Sequence, residues 1–178
     1  LLLKSKYMER AKLQKMVNVL NTTSPSKILL ASLDAARQYV ATKGRQNMKR
    51  VHEISRYARE QIAKIKGFVP CNKEHFLQHG CFDYDDTKLV LKLEHLDING
   101  FELYKILKQE YGIQVELAET YVVMGILAIG SNKQQLTRFI KALKDVSKKH
   151  YNKKYEYKRH AFGVDFPFQL TSPEVAFN

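Results

Sequence analysis

The spacing of the apolar residues changes at Gly67, and that change limits the possible folds more than any other feature of the 178 residues. Before it, apolar side chains recur three and four apart. Met8, Ala11, Leu13, Met16, Val17 and Leu20 form one set, Ile28, Leu29, Leu33, Ala36 and Val40 a second, and Val51, Ile54, Ala58, Ile62 and Ile65 a third. The spacing predicts helices over residues 5–20, from Pro25 to about Thr42 with Gly44 as the stop, and from about Gln46 to Lys66 with Gly67 as the stop. Beyond Gly67 the period shortens to two. Leu89, Leu91 and Leu93 alternate with Lys88, Val90 and Lys92, as a strand with one covered face requires.

The remainder of this second region alternates strands with helices. A short strand is expected near residues 68–71, then a polar loop, then the strand over residues 87–94. Asp97 or Asn99 can cap a helix that carries Phe101, Tyr104, Leu107 and Tyr111 on one side and ends at Gly112. The unbroken apolar run over residues 121–129 suits a central strand, and Gly130-Ser131-Asn132 turns into a helix with Leu136, Phe139, Ile140, Leu143 and Val146 inward. This order implies a two-layer α/β domain, with helices on one face of a mainly antiparallel sheet. The basic segment over residues 148–160 reads as a solvated connection, and residues 162–168 as extended or looped chain.

Composition narrows the function classes. With 44% hydrophobic and 27% charged residues the chain is that of a globular protein, not a disordered one. No apolar run approaches the roughly 20 residues that span a bilayer, so no membrane partner and a cytoplasmic location are expected. Two cysteines, Cys71 and Cys81, read as free thiols. Cys71, His75, His79 and Cys81 lie close together but match no zinc spacing, so no metal is expected. His52, His75, His79, His95 and His150 read as surface or packing residues. The net charge of +12 is uneven: residues 1–66 carry 15 Lys and Arg against 4 acids, whereas residues 67–147 carry 9 against 11. The basic first third, with tyrosines among cations at residues 148–160, admits a stand-alone RNA- or polyanion-binding module as an alternative reading. No nucleic-acid motif accompanies the charge, so nucleic acid is the less favoured partner.

The stretch with the most chemical content is Asn21-Thr22-Thr23-Ser24-Pro25-Ser26, which leads into the second helix. Ser24 can cap and Pro25 fits the first turn. Hydroxyls, N–H groups and the positive end of the helix dipole together suit a phosphate. This run, with Lys-Ile-Leu-Leu-Ala-Ser-Leu-Asp-Ala-Ala-Arg after it, resembles the Thr-Ser-Pro segment of the pyridoxal-phosphate-dependent ornithine/lysine/arginine decarboxylases of fold-type I. Tyr111-Gly-Ile-Gln-Val-Glu-Leu-Ala-Glu119 with the apolar run to Gly130, and Leu170-Thr-Ser-Pro-Glu-Val-Ala-Phe177, resemble later landmarks of that family in the same order.

The resemblance implies a C-terminal portion of such an enzyme. Residues 1–66 would be the last helices of the pyridoxal-phosphate-binding large domain, and residues 67–178 the small C-terminal α/β domain with its basic connection and tail. It implies a homodimer in which Thr22 donates to the cofactor phosphate of the neighbouring subunit, with Thr23 and Ser24 shaping the turn. It also implies that Glu116 pairs with the cationic end of a lysine, arginine or ornithine substrate. The family's Ser-x-His-Lys motif, its cofactor-stacking His and its ring-pairing Asp are absent from the chain. Lys27 lacks the preceding His and is no substitute, so no catalytic residue is assigned here and the chain alone is expected to be inactive. Since Leu1 is not an initiator methionine, a processed or cut chain is expected, and a relative that has lost catalytic power is a further possibility. A net charge of +12 repels cationic substrates, which makes an acidic remainder an expectation of the same reading.

Overall fold

The computed structural model describes residues 9–21, 23–157, 170–172 and 175, and the chain divides into two compact units, residues 1–50 and residues 51–178. Helix α1 (Arg10–Leu20) ends where Asn21 turns extended, its N–H donating to Val17 O at 3.0 Å. Helix α2 (Lys27–Ile62) then continues for 36 residues. Gly44 therefore does not stop it, and the two helices expected on either side are one. An interior glycine costs only about 1 kcal/mol relative to alanine, too little to break a ladder that good helix formers continue. Gly44 is buried, and a Cβ there would lie 3.1 Å from Val40 Cγ1.

The start of α2 also differs from expectation. Leu29 N–H donates to Ser26 Oγ at 3.5 Å and Leu30 N–H to Ser26 O at 3.1 Å, so Ser26, not Ser24, occupies the capping position. Pro25 precedes the helix instead of opening it. Ile28, Leu29, Leu33 and Val40 lie at the spacing of one apolar face, yet among the described residues they remain exposed.

The second unit follows the period-two signal. Its elements after α2 are β1 (Phe68–Pro70), α3 (Lys73–Gln78), β2 (Lys88–Leu93), α4 (Gly100–Tyr111), β3 (Leu117–Ala118), β4 (Val122–Ile126) and α5 (Lys133–His150). The sheet order is β1-β2-β4-β3, and every pairing is antiparallel. Strand β2 is central: Leu91 stands opposite Pro70 on one side and Val123 on the other. Leu89, Leu91 and Leu93 are buried in a core with Ile62 of α2, Leu103 and Leu107 of α4, and Leu136, Ile140 and Leu143 of α5. Each buried leucine contributes about 1.5–3 kcal/mol. Lys88, Val90 and Lys92, on the other side of the strand, are less covered. The α/β architecture and the antiparallel sheet are as the alternation implied. Helix α3 falls where only a polar loop was expected, and β3 has two residues, too few to register as a period.

The helix boundaries of this unit are set by side chains. Asn99 and Glu102 form a reciprocal capping box at α4, and Asn132 and Gln135 form one at α5. Gly112, at φ 59°, closes α4 in the left-handed region. At the first turn of α4 the backbone of Gly100 lies against the 119–122 turn, and its N–H donates to Thr120 O at 3.1 Å. A Cβ on Gly100 would stand 2.0 Å from Glu119 O and 2.8 Å from Val122 O. Both obstacles are backbone atoms, so a Gly100→Ala chain is expected to lose about 3 kcal/mol in urea unfolding. Gly130→Ala, where nothing lies within 4 Å of the added Cβ, should stay within about 0.5 kcal/mol of the parent.

Candidate functional site

The residues singled out in the sequence fall in both compact units. Thr22 lies outside the described residues. Thr23 and Ser24 are exposed ahead of α2. Residues 21–33 contain one charged side chain, Lys27, so hydroxyls, N–H groups, a cation and the helix dipole supply the local polarity, and acids supply none of it. This donor set suits a phosphate group. It does not supply the lysine, the ring-pairing acid or the stacking group that a pyridoxal cofactor needs besides.

Glu116 belongs to the second unit. Its N–H donates to Met124 O at 2.8 Å, continuing the β3–β4 pairing by one residue. The preceding Val115 is buried in the core, and the alternation of the strand turns Glu116 outward, where its side chain is exposed. Gly100 and the 119–122 turn hold the chain three residues further on. Among the described residues Glu116 is thus a carboxylate without an ion pair on a backbone fixed at both ends, an arrangement that can pair with a cation arriving from solvent.

His52, His95 and His150 have partners remote in sequence, whereas that of His79 is one helical turn away. His52 Nδ1 lies 2.6 Å from Asp86 Oδ1, and His150 Nδ1 lies 2.9 Å from Asp97 Oδ1. His79 Nδ1 lies 2.6 Å from His75 O, and His95 Nδ1 3.0 Å from Tyr155 O. Among the described residues no three His, Cys, Asp or Glu side chains gather as a metal ion would require, and no helix is long and apolar enough to cross a membrane.

Two features were not anticipated. The Arg59 guanidinium donates to Ser55 Oγ, to Asp86 O at 2.8 Å, to Tyr84 Oη at 3.0 Å and to Lys88 O at 2.8 Å. These partners are 4 to 29 residues away in sequence, and no local pattern announces them. The second feature is that Tyr155 and Tyr157, read as part of a solvated basic connection, pack with Tyr121 around a cavity at the end of β2. The Tyr-x-Tyr spacing was the available signal. Lys148, Lys149 and His150 are the last turn of α5 instead of a loop, and residues 158–169, which include the rest of the connection and the expected extended segment, lie outside the described residues.

The family model for "Orn/Lys/Arg decarboxylase, major domain" matches residues 1–135, a range that enters both compact units. The chain is similar to an arginine decarboxylase of Halalkalibacterium halodurans, 35% identical over 139 residues, which are 78% of this chain and 28% of that protein. An arginine decarboxylase of Bacillus anthracis is 32% identical over 165 residues, 92% of this chain and 34% of that protein. One from Bacillus subtilis is 30% identical over 140 residues, 79% of this chain and 29% of that protein. The chain therefore spans about a third or less of the length of these relatives. Among solved structures, the constitutive lysine decarboxylase of Escherichia coli superposes with a TM-score of 0.59 over 79% of this chain and 25% of that one, at 17% identity. That likeness is one of fold.

The two thiols are free, Cys71 buried and Cys81 exposed. Burial is the largest influence on Cys71 and pushes its thiol above the ordinary range, against the smaller opposing effect of the Lys92 charge. A disulfide reagent is therefore expected to titrate one thiol per folded chain at pH 8, that of Cys81, and both after denaturation. Rapid release of two equivalents from the folded chain would contradict the burial of Cys71.

Proposed function

Because the chain belongs to the Orn/Lys/Arg decarboxylase family, we propose that it is part of a pyridoxal-phosphate-dependent decarboxylase of basic amino acids. The observation that carries this reading is the family match over residues 1–135. Relatives named arginine decarboxylase, 30–35% identical to this chain, favour arginine over lysine and ornithine as the substrate. In the same reading the protein is a cytoplasmic homodimer, residues 1–66 close the large domain and residues 67–178 form the small one.

The roles proposed for this chain are in binding. Thr22 donates to the cofactor phosphate across the dimer, while Thr23 and Ser24, ahead of the Ser26-capped start of α2, shape the turn that presents the donors. Pyridoxal phosphate, when bound, supplies the electron sink for the pair left on the α-carbon as carbon dioxide departs. Glu116, exposed and fixed by its backbone bond to Met124, pairs with the guanidinium or ammonium at the far end of the substrate. A carboxylate can accept a guanidinium through two parallel hydrogen bonds. The Ser-x-His-Lys motif is absent from this sequence, so the lysine that holds the cofactor is not among these residues, and the 178-residue chain by itself is expected to release no carbon dioxide.

The test is carbon dioxide release by the protein purified from its source, with the intact mass measured on the same sample. Release from arginine should exceed release from lysine and ornithine. Glu116→Gln should raise KM for arginine by about 10- to 100-fold, the worth of one charge-assisted hydrogen bond, with kcat within a few-fold. An unchanged KM would remove Glu116 from substrate binding. A basic module would instead bind polyanions with an affinity that falls steeply as salt rises, an outcome that would replace the decarboxylase reading if no amino acid were turned over.

A further inference from the structure

Where β2 ends, the chain builds a cavity of about 360 Å³ that no proposed role for the decarboxylase uses. Its walls are Tyr121, Tyr155 and Tyr157, with Glu94 and Glu156, and with Lys92 and His95 at the strand end. The rings are set at right angles rather than stacked. Tyr157 meets Tyr121 at 5.1 Å between centroids and 73°, and meets Tyr155 at 5.3 Å and 89°. Three rings so disposed cannot all bury their faces against one another, and each of the three is only partly buried.

The backbone is committed to this arrangement. His95 adopts φ 55°, in the left-handed region and the one such non-glycine among the described residues. A β-strand end held there is strained by about 1 kcal/mol or more. The compensation lies in the loop that carries two of the tyrosines: Asn152 N–H donates to His95 O at 2.8 Å, and His95 Nδ1 stands 3.0 Å from Tyr155 O. Tyr157 is locked separately, its hydroxyl donating to Ile98 O at 2.7 Å. That bond uses the polar tip of Tyr157 and leaves the ring as a wall. Burial pushes its phenol well above the ordinary range, so the ring stays neutral.

We propose that this box binds an organic cation, an alkylammonium or guanidinium group. Electron-rich faces set at right angles attract a cation that can touch several at once, and the attraction is greatest where water is excluded. The carboxylates add net negative charge. Lys92 Nζ lies 2.9 Å from Glu94 Oε1 and neutralises that acid, whereas Glu156, exposed at the rim, has no ion pair among the described residues. Lys92 thus competes with an incoming cation for Glu94. An anion would face Glu94, Glu156 and three tyrosine rings, with Lys92 the one lysine or arginine in the lining among the described residues. A neutral apolar guest would gain nothing from the acids. The inference rests on the cavity and its charge, and stands whether or not the protein decarboxylates amino acids.

The probe is tetramethylammonium, titrated into the folded 178-residue chain while the tyrosine ring resonances are followed by NMR, with neopentanol as the uncharged compound of similar shape. The expected result is a saturable shift of the Tyr121, Tyr155 and Tyr157 signals with the cation and none with the alcohol. Tyr155→Leu should weaken binding by about tenfold, and Tyr155→Phe, which keeps the ring, should bind within twofold of the parent. Glu156→Gln should weaken binding by about threefold, and Lys92→Met should tighten it by a similar factor. Should Tyr155→Leu fail to fold, the opposite signs expected for Glu156→Gln and Lys92→Met still decide the matter. Equal shifts with neopentanol, no shift at tens of millimolar cation, or weaker binding in Lys92→Met would each overturn the proposal.

Discussion

A single guanidinium organises the second unit. Arg59, on the last turn of α2, donates to the carbonyls of Asp86 and Lys88 and to the hydroxyl of Tyr84. Lys88 is the first residue of β2, so these bonds fix where the central strand begins and which way it leaves the helix. Hydrogen bonds to a charged donor are worth about 1.5–3 kcal/mol each, and the two carbonyls share them with neighbouring hydroxyls, Ser55 Oγ donating to Asp86 O as well. Tyr84 in turn donates to Lys88 O and stacks on Phe76 with centroids 4.4 Å apart, which carries the constraint into α3. Arg59 Nε is buried with no hydrogen-bond partner among the described residues. The charge is therefore held by its terminal nitrogens, and the stability of the hub depends on the strand entry staying in place.

From that entry the rest of the sheet follows by register. A strand shifted by one residue would turn Leu89, Leu91 and Leu93 to solvent and Lys88, Val90 and Lys92 into the core. Arg59 sets the start, and the leucines then select β1 and β4 as flanking strands. Strand β4 reaches Gly100 through the 119–122 turn, and β3 carries Glu116 outward beside Met124. The carboxylate proposed for substrate binding and the tyrosines of the cation box thus hang on opposite consequences of one register. Glu116 lies on the outer continuation of β3, and Tyr121 at the turn into β4.

How much of this was legible follows from the range of each signal. The leucine alternation of β2, the turn Gly130-Ser131-Asn132 into α5 and the stop at Gly112 are local, and the structure has them where the sequence placed them; of the two caps open for α4, Asp97 and Asn99, it uses Asn99. Gly44 was misread because a glycine signals a stop only where the ladder is already weak, whereas here the helix continues on both sides. Ser24 was misread for a subtler reason. Three hydroxyl residues precede Lys27 in the described chain, and the one that caps is fixed by which N–H groups face it, here Leu29 toward Ser26. The Arg59 contacts had no local signal, and the tyrosine box had only the Tyr155-x-Tyr157 spacing. Their partners sit at residues 55, 84, 86 and 88 in one case and at 94, 121, 155, 156 and 157 in the other, and only the closed sheet brings them together.

The charge pattern takes a different meaning once these contacts are known. A net charge of +12 argues against recognition of cations only if charge acts as a total. At physiological ionic strength, interactions between exposed charges fade beyond about 8 Å, so a binding group responds to its immediate lining. Residues 67–147 hold 11 acids against 9 bases, and within them Lys73, Lys88 and Lys92 are already paired with Asp83, Asp85 and Glu94. Glu116 is exposed on a fixed strand end, and Glu156 lines a box of neutral rings. The basic excess is concentrated in residues 1–66, where Arg37 and Lys12 pair with the nearby Asp34 and Glu9 at exposed positions of little energetic weight. The hydroxyl turn proposed for a phosphate and the carboxylates proposed for cations are compatible in one chain with this distribution, because screening leaves each to its own neighbours.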